Sequence, residues 1–316
     1  MKKLFVLLLA FAVVGGAFAQ VTTAIAASGN IKVLTKDATN DNVSVFAPKG
    51  NGYDTITFKG TDKDGKFGFS ITDQNWLADG FNAIRDWNAW YKGQWTKTIV
   101  GKLRNSDFRA TLPNGLYANY LYGFDRISGY GALIETTTLG ALTAGVNLAI
   151  SDTAAPVADM LKKTDIGVKY AMEGTGTAYV FANLDLVAES NIIGLGFNFT
   201  GVENLTAAAI YYGTFASSST HAFALGADYS MDKLGVAVEF DGKYASAFDG
   251  EIAAQVSYGV TEKMTAYVGG MYDFGGDYDA FGEIEYHYGN NMGSDFTIGY
   301  DGDLYYTLKL TYSVSF

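Results

Sequence analysis

The ionisable residues of this chain fall into patterns that three kinds of chemistry could use. Glu283, Glu285 and His287 stand two residues apart. On an extended strand that spacing puts all three on one face, where carboxylates and an imidazole could hold a metal. His221 follows Ser217-Ser218-Ser219-Thr220, and a serine hydrolase needs a serine, a histidine and an acid brought together in space. A polar loop places serines beside a histidine by chance, and a hydrated strand face explains the Glu-Glu-His spacing equally simply. The third chemistry is electrostatic. Lys102 and Arg104 precede a long segment, Asn105 to Arg126, which adds Asp107, Arg109, Asp125 and Arg126, while Glu239, Asp241, Glu283 and Glu285 recur later. Fixed charges lining a narrow water-filled space with low-dielectric walls focus a field that sorts ions.

Whether such charges can face one another depends on the elements that carry them. From Tyr306 to Phe316 the even positions are Tyr, Leu, Leu, Tyr, Val and Phe, and the odd positions are Thr, Lys, Thr, Ser and Ser. Successive side chains of a strand point to opposite faces, so one face of this strand is apolar and the other polar. The pattern recurs. Val236, Val238 and Phe240 alternate with Glu239 and Asp241, Ile252, Ala254 and Val256 with Glu251 and Gln255, and Leu142, Ala144 and Val146 with Thr143 and Asn147. Short turns such as Lys63-Asp64-Gly65, Glu203-Asn204, Asp232-Lys233 and Asn290-Asn291 separate the strands and alternate with longer polar loops. The count predicts about eighteen strands; sixteen fits almost as well, and the range runs from 14 to 18. An even count puts both chain ends and all the short turns on one side, as in an antiparallel up-and-down transmembrane β-barrel.

The rest of the sequence limits the alternatives. Lys2 and Lys3, the apolar run Leu4 to Val14, and Ala17-Phe18-Ala19 form a secretory signal peptide over residues 1–19, with cleavage expected after Ala19. The barrel then occupies 20–316. Beyond the signal no stretch of 18 apolar residues exists to form a membrane helix. A closed barrel can still span a bilayer, because closure pairs every backbone group. Gly is abundant at 38, Pro is scarce at 3, and 22 Tyr with 21 Phe bring aromatics to 15%. That balance suits uninterrupted strands with aromatic belts at the lipid boundary. Removing Lys2 and Lys3 leaves 20 basic against 33 acidic residues, a net charge near −13. Such a surface offers no basic stripe for nucleic acid. The absence of cysteine excludes lipidation at a lipobox, disulfides and thiolate metal sites. No cofactor and no metal are expected, and no enzyme activity.

The final strand resembles the C-terminal signal of outer-membrane barrel proteins. The resemblance implies that Tyr312, Val314 and Phe316 are read by the barrel-assembly machinery. Trp87 to Arg104 and Ser128 to Ile150 resemble the hairpins that flank the long constriction loop of general bacterial porins, or of the porin-like proteins of spirochaetes. The acidic motif of the porin constriction loop is not plainly present. What the resemblance implies is a bacterial outer-membrane channel for small hydrophilic solutes, bathed by outer-membrane lipids.

The reading favoured by sequence is therefore a passive diffusion channel. Lys102, Arg104, Asp107, Arg109, Asp125 and Arg126 are expected on one side of the lumen, with Glu239, Asp241, Glu283 and Glu285 opposite and Asn105 to Arg126 folded inward. The acid excess points to mild cation preference. The competing reading is a structural or adhesive barrel that transports nothing. Sixteen to eighteen strands leave an aqueous lumen by geometry alone, which an anchor does not need. Ala207, Ala209 and Gly213 are the candidate subunit contact of a homotrimer, with monomer and trimer both left open.

Overall fold

The computed structural model describes residues 21–36, 43–47, 54–74, 84–113, 127–137, 139–149, 163–185 and 190–315. The expected signal peptide, Asp125, Arg126 and Phe316 lie outside them. Nineteen strands follow in chain order: β1 (Val21–Lys36), β2 (Val43–Ala47), β3 (Thr55–Asp62), β4 (Phe67–Gln74), β5 (Ile84–Lys92), β6 (Thr96–Asn105) and β7 (Ile127–Thr136). β8 (Leu142–Ala149), β9 (Lys163–Met172), β10 (Gly176–Asp185), β11 (Ser190–Val202), β12 (Leu205–Phe215) and β13 (Thr220–Met231) continue the series. β14 (Leu234–Tyr244), β15 (Phe248–Thr261), β16 (Met264–Asp273), β17 (Tyr278–Gly289), β18 (Met292–Asp301) and β19 (Asp303–Ser315) complete it.

From β3 to β19 each strand pairs antiparallel with the next, and β19 pairs with β1 from Ala26↔Ser315 to Lys36↔Tyr306, closing the sheet. β1 is long enough to face two partners. Its second half pairs with β2 (Lys32↔Ala47) and its first half with β3 (Ser28↔Thr55). β2 and β3 are thus two pieces of one stave, and nineteen strands make an eighteen-stave barrel, the number expected from the sequence.

The short turns owe their tightness to residues that tolerate positive φ. Gly65, Gly140 and Gly174 adopt it, as do Asn204, Asp232, Asn290 and Asn291, the residue types for which this region is least strained. All these turns lie on the side of the barrel that holds the first residue of β1 and the last of β19. On the opposite side, Gly302 at φ 71° makes a tight connection between Asp301 and Asp303.

The outward face is apolar. Val180, Leu195, Leu225, Val238, Ile252, Val256, Val268 and Ile284 are all exposed, and each alternates with an inward neighbour. Tyr170, Tyr229, Tyr258, Tyr272 and Tyr300 occupy strand ends on this face, as interfacial belts require. Along it Phe223, Phe240, Phe274 and Phe248 form a closed circuit of rings with successive centroids 5.6–6.1 Å apart.

Candidate functional site

The interior has two unlike walls. On β14 to β19 the inward positions are polar and largely acidic. Register pairs Asp241 with Glu251, and Glu251 with Asp273, in one row across three strands. Glu239 stands one inward position along β14, beside Gly226 of β13. On β17, Glu283 accepts a hydrogen bond from Thr297 Oγ1 at 2.8 Å, and Glu285 accepts one from the Tyr267 hydroxyl at 2.7 Å. Asp295, the register partner of Glu285, is flanked by Lys309 on β19. The expected lumenal acids Glu239, Asp241, Glu283 and Glu285 therefore share one continuous inner wall.

The other wall, β6 to β13, carries large apolar inward side chains. Ile99, Leu103, Ile127, Leu133 and Phe181 form one buried cluster with Phe108, and Trp90 packs against it. Ile210, Tyr212, Ala222 and Ala224 form a second with Ala110, against which Leu112 packs. Alternation alone predicts a polar inner face at every strand. The difference has a physical cause, because Ser106 to Pro113 folds inward and covers this wall. Phe108 lies over Gly145 and Gly167, Ala110 over Gly196, and Leu112 with Pro113 over Gly226. Thr111 N donates to Asn198 Oδ1 at 3.2 Å, and Asn198 Nδ2 donates back to Thr111 O at 2.6 Å. Lys169 Nζ sits 6.0 Å from the centre of the Phe108 ring.

The root of the segment is held by polar contacts. Asn105 Nδ2 donates to Asp107 Oδ2 at 2.9 Å and to Glu135 Oε1 at 3.4 Å, and Glu135 lies 3.9 Å from Lys97 Nζ. Asp107 and Arg109 thus belong to the inward segment, with Asp107 exposed and Arg109 half-buried.

Lys102 and Arg104 require correction. Register pairs Lys102 with Tyr130 and Trp87, and Arg104 with Ser128. Val100 and Ile134, exposed on the outward surface, share their parity. Both basic residues therefore stand on the outward face near the outer end of β6, where Lys102 Nζ donates to Ile84 O at 3.1 Å. The inward positions of β6 are Lys97, Ile99, Gly101 and Leu103. The sequence misled because the more polar parity of β6, Thr96, Thr98, Lys102 and Arg104, faces outward, while its inward residues Ile99, Gly101 and Leu103 are a loop seat rather than a hydrated surface.

The structure places both histidines on strands. His221 lies on β13 rather than in a loop and points outward, sharing a 2.8 Å hydrogen bond between its Nδ1 and the Tyr211 hydroxyl. Glu283, Glu285 and His287 occupy successive inward positions of β17, yet no group of three His, Cys, Asp or Glu residues among the described residues is placed to hold a metal. Ala207 and Ala209 lie outward, between Phe197 and Leu225 at the level of Ala209. Tyr312 and Val314 are outward on β19, and Tyr312 donates to Asp54 Oδ1 at 3.2 Å.

No protein-family model matches the sequence, and no curated protein matches it. Solved structures do. Pseudomonas aeruginosa OccK9 (OpdG) superposes with a TM-score of 0.62 at 11% identity, covering 95% of this chain and 99% of that one. This chain has the porin fold. A BenF-like porin from Pseudomonas fluorescens Pf-5 gives a TM-score of 0.59 at 10% identity over 94% and 98% of the two chains. Pseudomonas aeruginosa OpdK, solved with vanillate, gives 0.58 at 10% identity over 94% and 99%. These porins come from Pseudomonas, so they bear on the general porin-like barrel and not on a spirochaete branch. At such identities they speak for the architecture alone.

Proposed function

We propose that this protein is an outer-membrane porin-like channel through which small hydrophilic solutes and ions diffuse passively. The observation that carries this reading is an eighteen-stave closed barrel, oily outside and charged within. Barrels of this stave number enclose an aqueous passage, and a hydrocarbon-facing exterior fits only a bilayer. In this reading the Ser106–Pro113 segment narrows the lumen, and Glu239, Asp241, Glu283 and Glu285 face solutes across it, with Asp107 and Arg109 on the segment side.

The acidic wall supports a mild preference for cations, because carboxylates lining a low-dielectric passage raise the local concentration of counter-ions. An aromatic carboxylate such as vanillate, present in the OpdK structure, would meet repulsion along this wall. Tyr312, Val314 and Phe316 serve as the assembly signal, and the assembled barrel sits in outer-membrane lipid.

Refolded protein in planar bilayers tests the proposal: discrete ohmic steps are expected, with a reversal potential of cation-selective sign under a salt gradient. An anion-selective value sinks the cation preference. No steps, together with no swelling of solute-loaded liposomes, sinks the channel and favours a barrel that serves only as an anchor.

A further inference from the structure

Glycines occur in strands either because the backbone needs a conformation other residues avoid or because something passes too close for a side chain. Gly145, Gly167, Gly196 and Gly226 belong to the second kind. None has a left-handed φ, whereas the turn glycines do. All four are inward, on β8, β9, β11 and β13, and Gly145 and Gly167 are register partners. Three of them have a large inward neighbour: Leu133 would lie 3.3 Å from a Cβ at Gly145, Phe181 is the register partner of Gly167 and Ile210 that of Gly196, whereas Gly226 faces Ala208 and Glu239. The bare positions coincide with the path of Ser106–Pro113. A Cβ at Gly145 would stand 2.6 Å from Cζ of Phe108, one at Gly167 2.6 Å from its Cβ, and one at Gly226 3.0 Å from Leu112 Cδ2. One at Gly196 would overlap the Ala110 methyl. Alternate residues of the segment, Phe108, Ala110 and Leu112, meet these gaps in turn, so an extended stretch lies in a groove cut across the strands at mid-height.

We propose that these four glycines form a seat whose depth sets how far the segment stands off the wall, and so the bore and size cut-off of the passage. They are positioning residues: they touch the segment, not the solute. The consequence for bore rests on the channel reading, but the seat itself does not. Ordinary carbon contacts lie at about 3.5–4.0 Å, so a methyl at Gly145 or Gly167 displaces the segment toward the axis by about 1 Å, and one at Gly196 by more.

Because the chain has no cysteine, spin labels at D107C and E262C report the segment's position by pulsed electron–electron distance measurement in the folded barrel. The triple variant Gly145→Ala/Gly167→Ala/Gly196→Ala is expected to shift the mean distance by about 1 Å or more and to lower single-channel conductance and the largest permeating solute. Ala is well tolerated in strands, and resistance to SDS unfolding at room temperature checks that the barrel forms. Gly196→Ala alone shifts the distance, and adding Ala110→Gly returns it to the parental value. Gly259→Ala, where the nearest atoms lie 3.8 Å away, changes nothing. An unchanged distance in the triple variant, or no rescue by Ala110→Gly, overturns the seat even if the protein conducts. A shifted distance in a protein that never conducts leaves the seat standing and removes the channel.

Discussion

Replacing Val238 by arginine tests the assignment of faces most directly. β14 has 11 residues; at about 3.4 Å each and a tilt of about 45°, it crosses about 26 Å, close to a hydrocarbon thickness. Val238 is its fifth residue, so its Cα lies about 2 Å from the mid-plane by the same rise and tilt. Its side chain is 49% exposed and points outward. A basic side chain at that depth on the lipid face costs about 2–4 kcal/mol. At about 1.4 kcal/mol per decade, that lowers the folding constant by roughly 30- to 700-fold. Gln255→Arg is the matched control. Gln255 is inward, one strand away and opposite Ala237 in register, so its arginine meets water and the acidic wall and should cost well under about 1 kcal/mol. Equilibrium urea unfolding from phospholipid vesicles, followed by the fluorescence of the four tryptophans, measures both. Equal losses, or a larger loss at Gln255, would mean that the exposed valines and leucines do not face hydrocarbon, and the membrane reading would fall.

Three further outcomes follow from the interior. Lys102→Ala with Arg104→Ala should leave unitary conductance and reversal potential unchanged, since both side chains stand outside the barrel; a clear change in either would contradict the pairing of β6 with β5 and β7. Glu283→Gln with Glu285→Gln should move the reversal potential toward zero while keeping the Tyr267 and Thr297 hydroxyls partnered; retained cation preference would place the selecting charges elsewhere. Asn198→Ala removes both side-chain hydrogen bonds to Thr111, weakening the seat by about 1–2 kcal/mol. Amide exchange at Thr111 should then quicken by about tenfold, and parental protection would show that packing alone holds the segment.

Much of the barrel was legible because the signal is geometric. A period of two with turns at Gly or Asn marks a strand whatever the strand contacts, so β8 to β19 and their short turns could be read from alternation. The acidic wall was legible for the same reason: Glu239, Asp241, Glu283 and Glu285 alternate with Val238, Phe240, Ile284 and Tyr286, and only the wet side can hold them. The opposite wall was not. Alternation assumes that inward means hydrated, and β6 violates it, because Ile99 and Leu103 face inward against Phe108 while Val100 faces lipid. Thr96, Thr98, Lys102 and Arg104 share the other parity, so that parity reads as the strand's water side although it faces outward. A signal did exist at Gly145, Gly167, Gly196 and Gly226, all bare residues at inward positions of β8, β9, β11 and β13. It marks a close approach without naming what approaches. Nor could strand patterns reveal that β2 and β3 share one stave, since that depends on the length of β1.

The seam between β1 and β19 has a consequence for biogenesis. Ala26 and Ser315 are register partners although 289 residues separate them (315 − 26). Every other strand pair forms between stretches close in sequence, so the ribbon can zip hairpin by hairpin and still remain an open sheet with two raw rims. Unpaired amides at a rim invite other chains and are forbidden in hydrocarbon. The thirteen residues of β19 are therefore the keystone: until they arrive, nothing made earlier is fit to meet the bilayer.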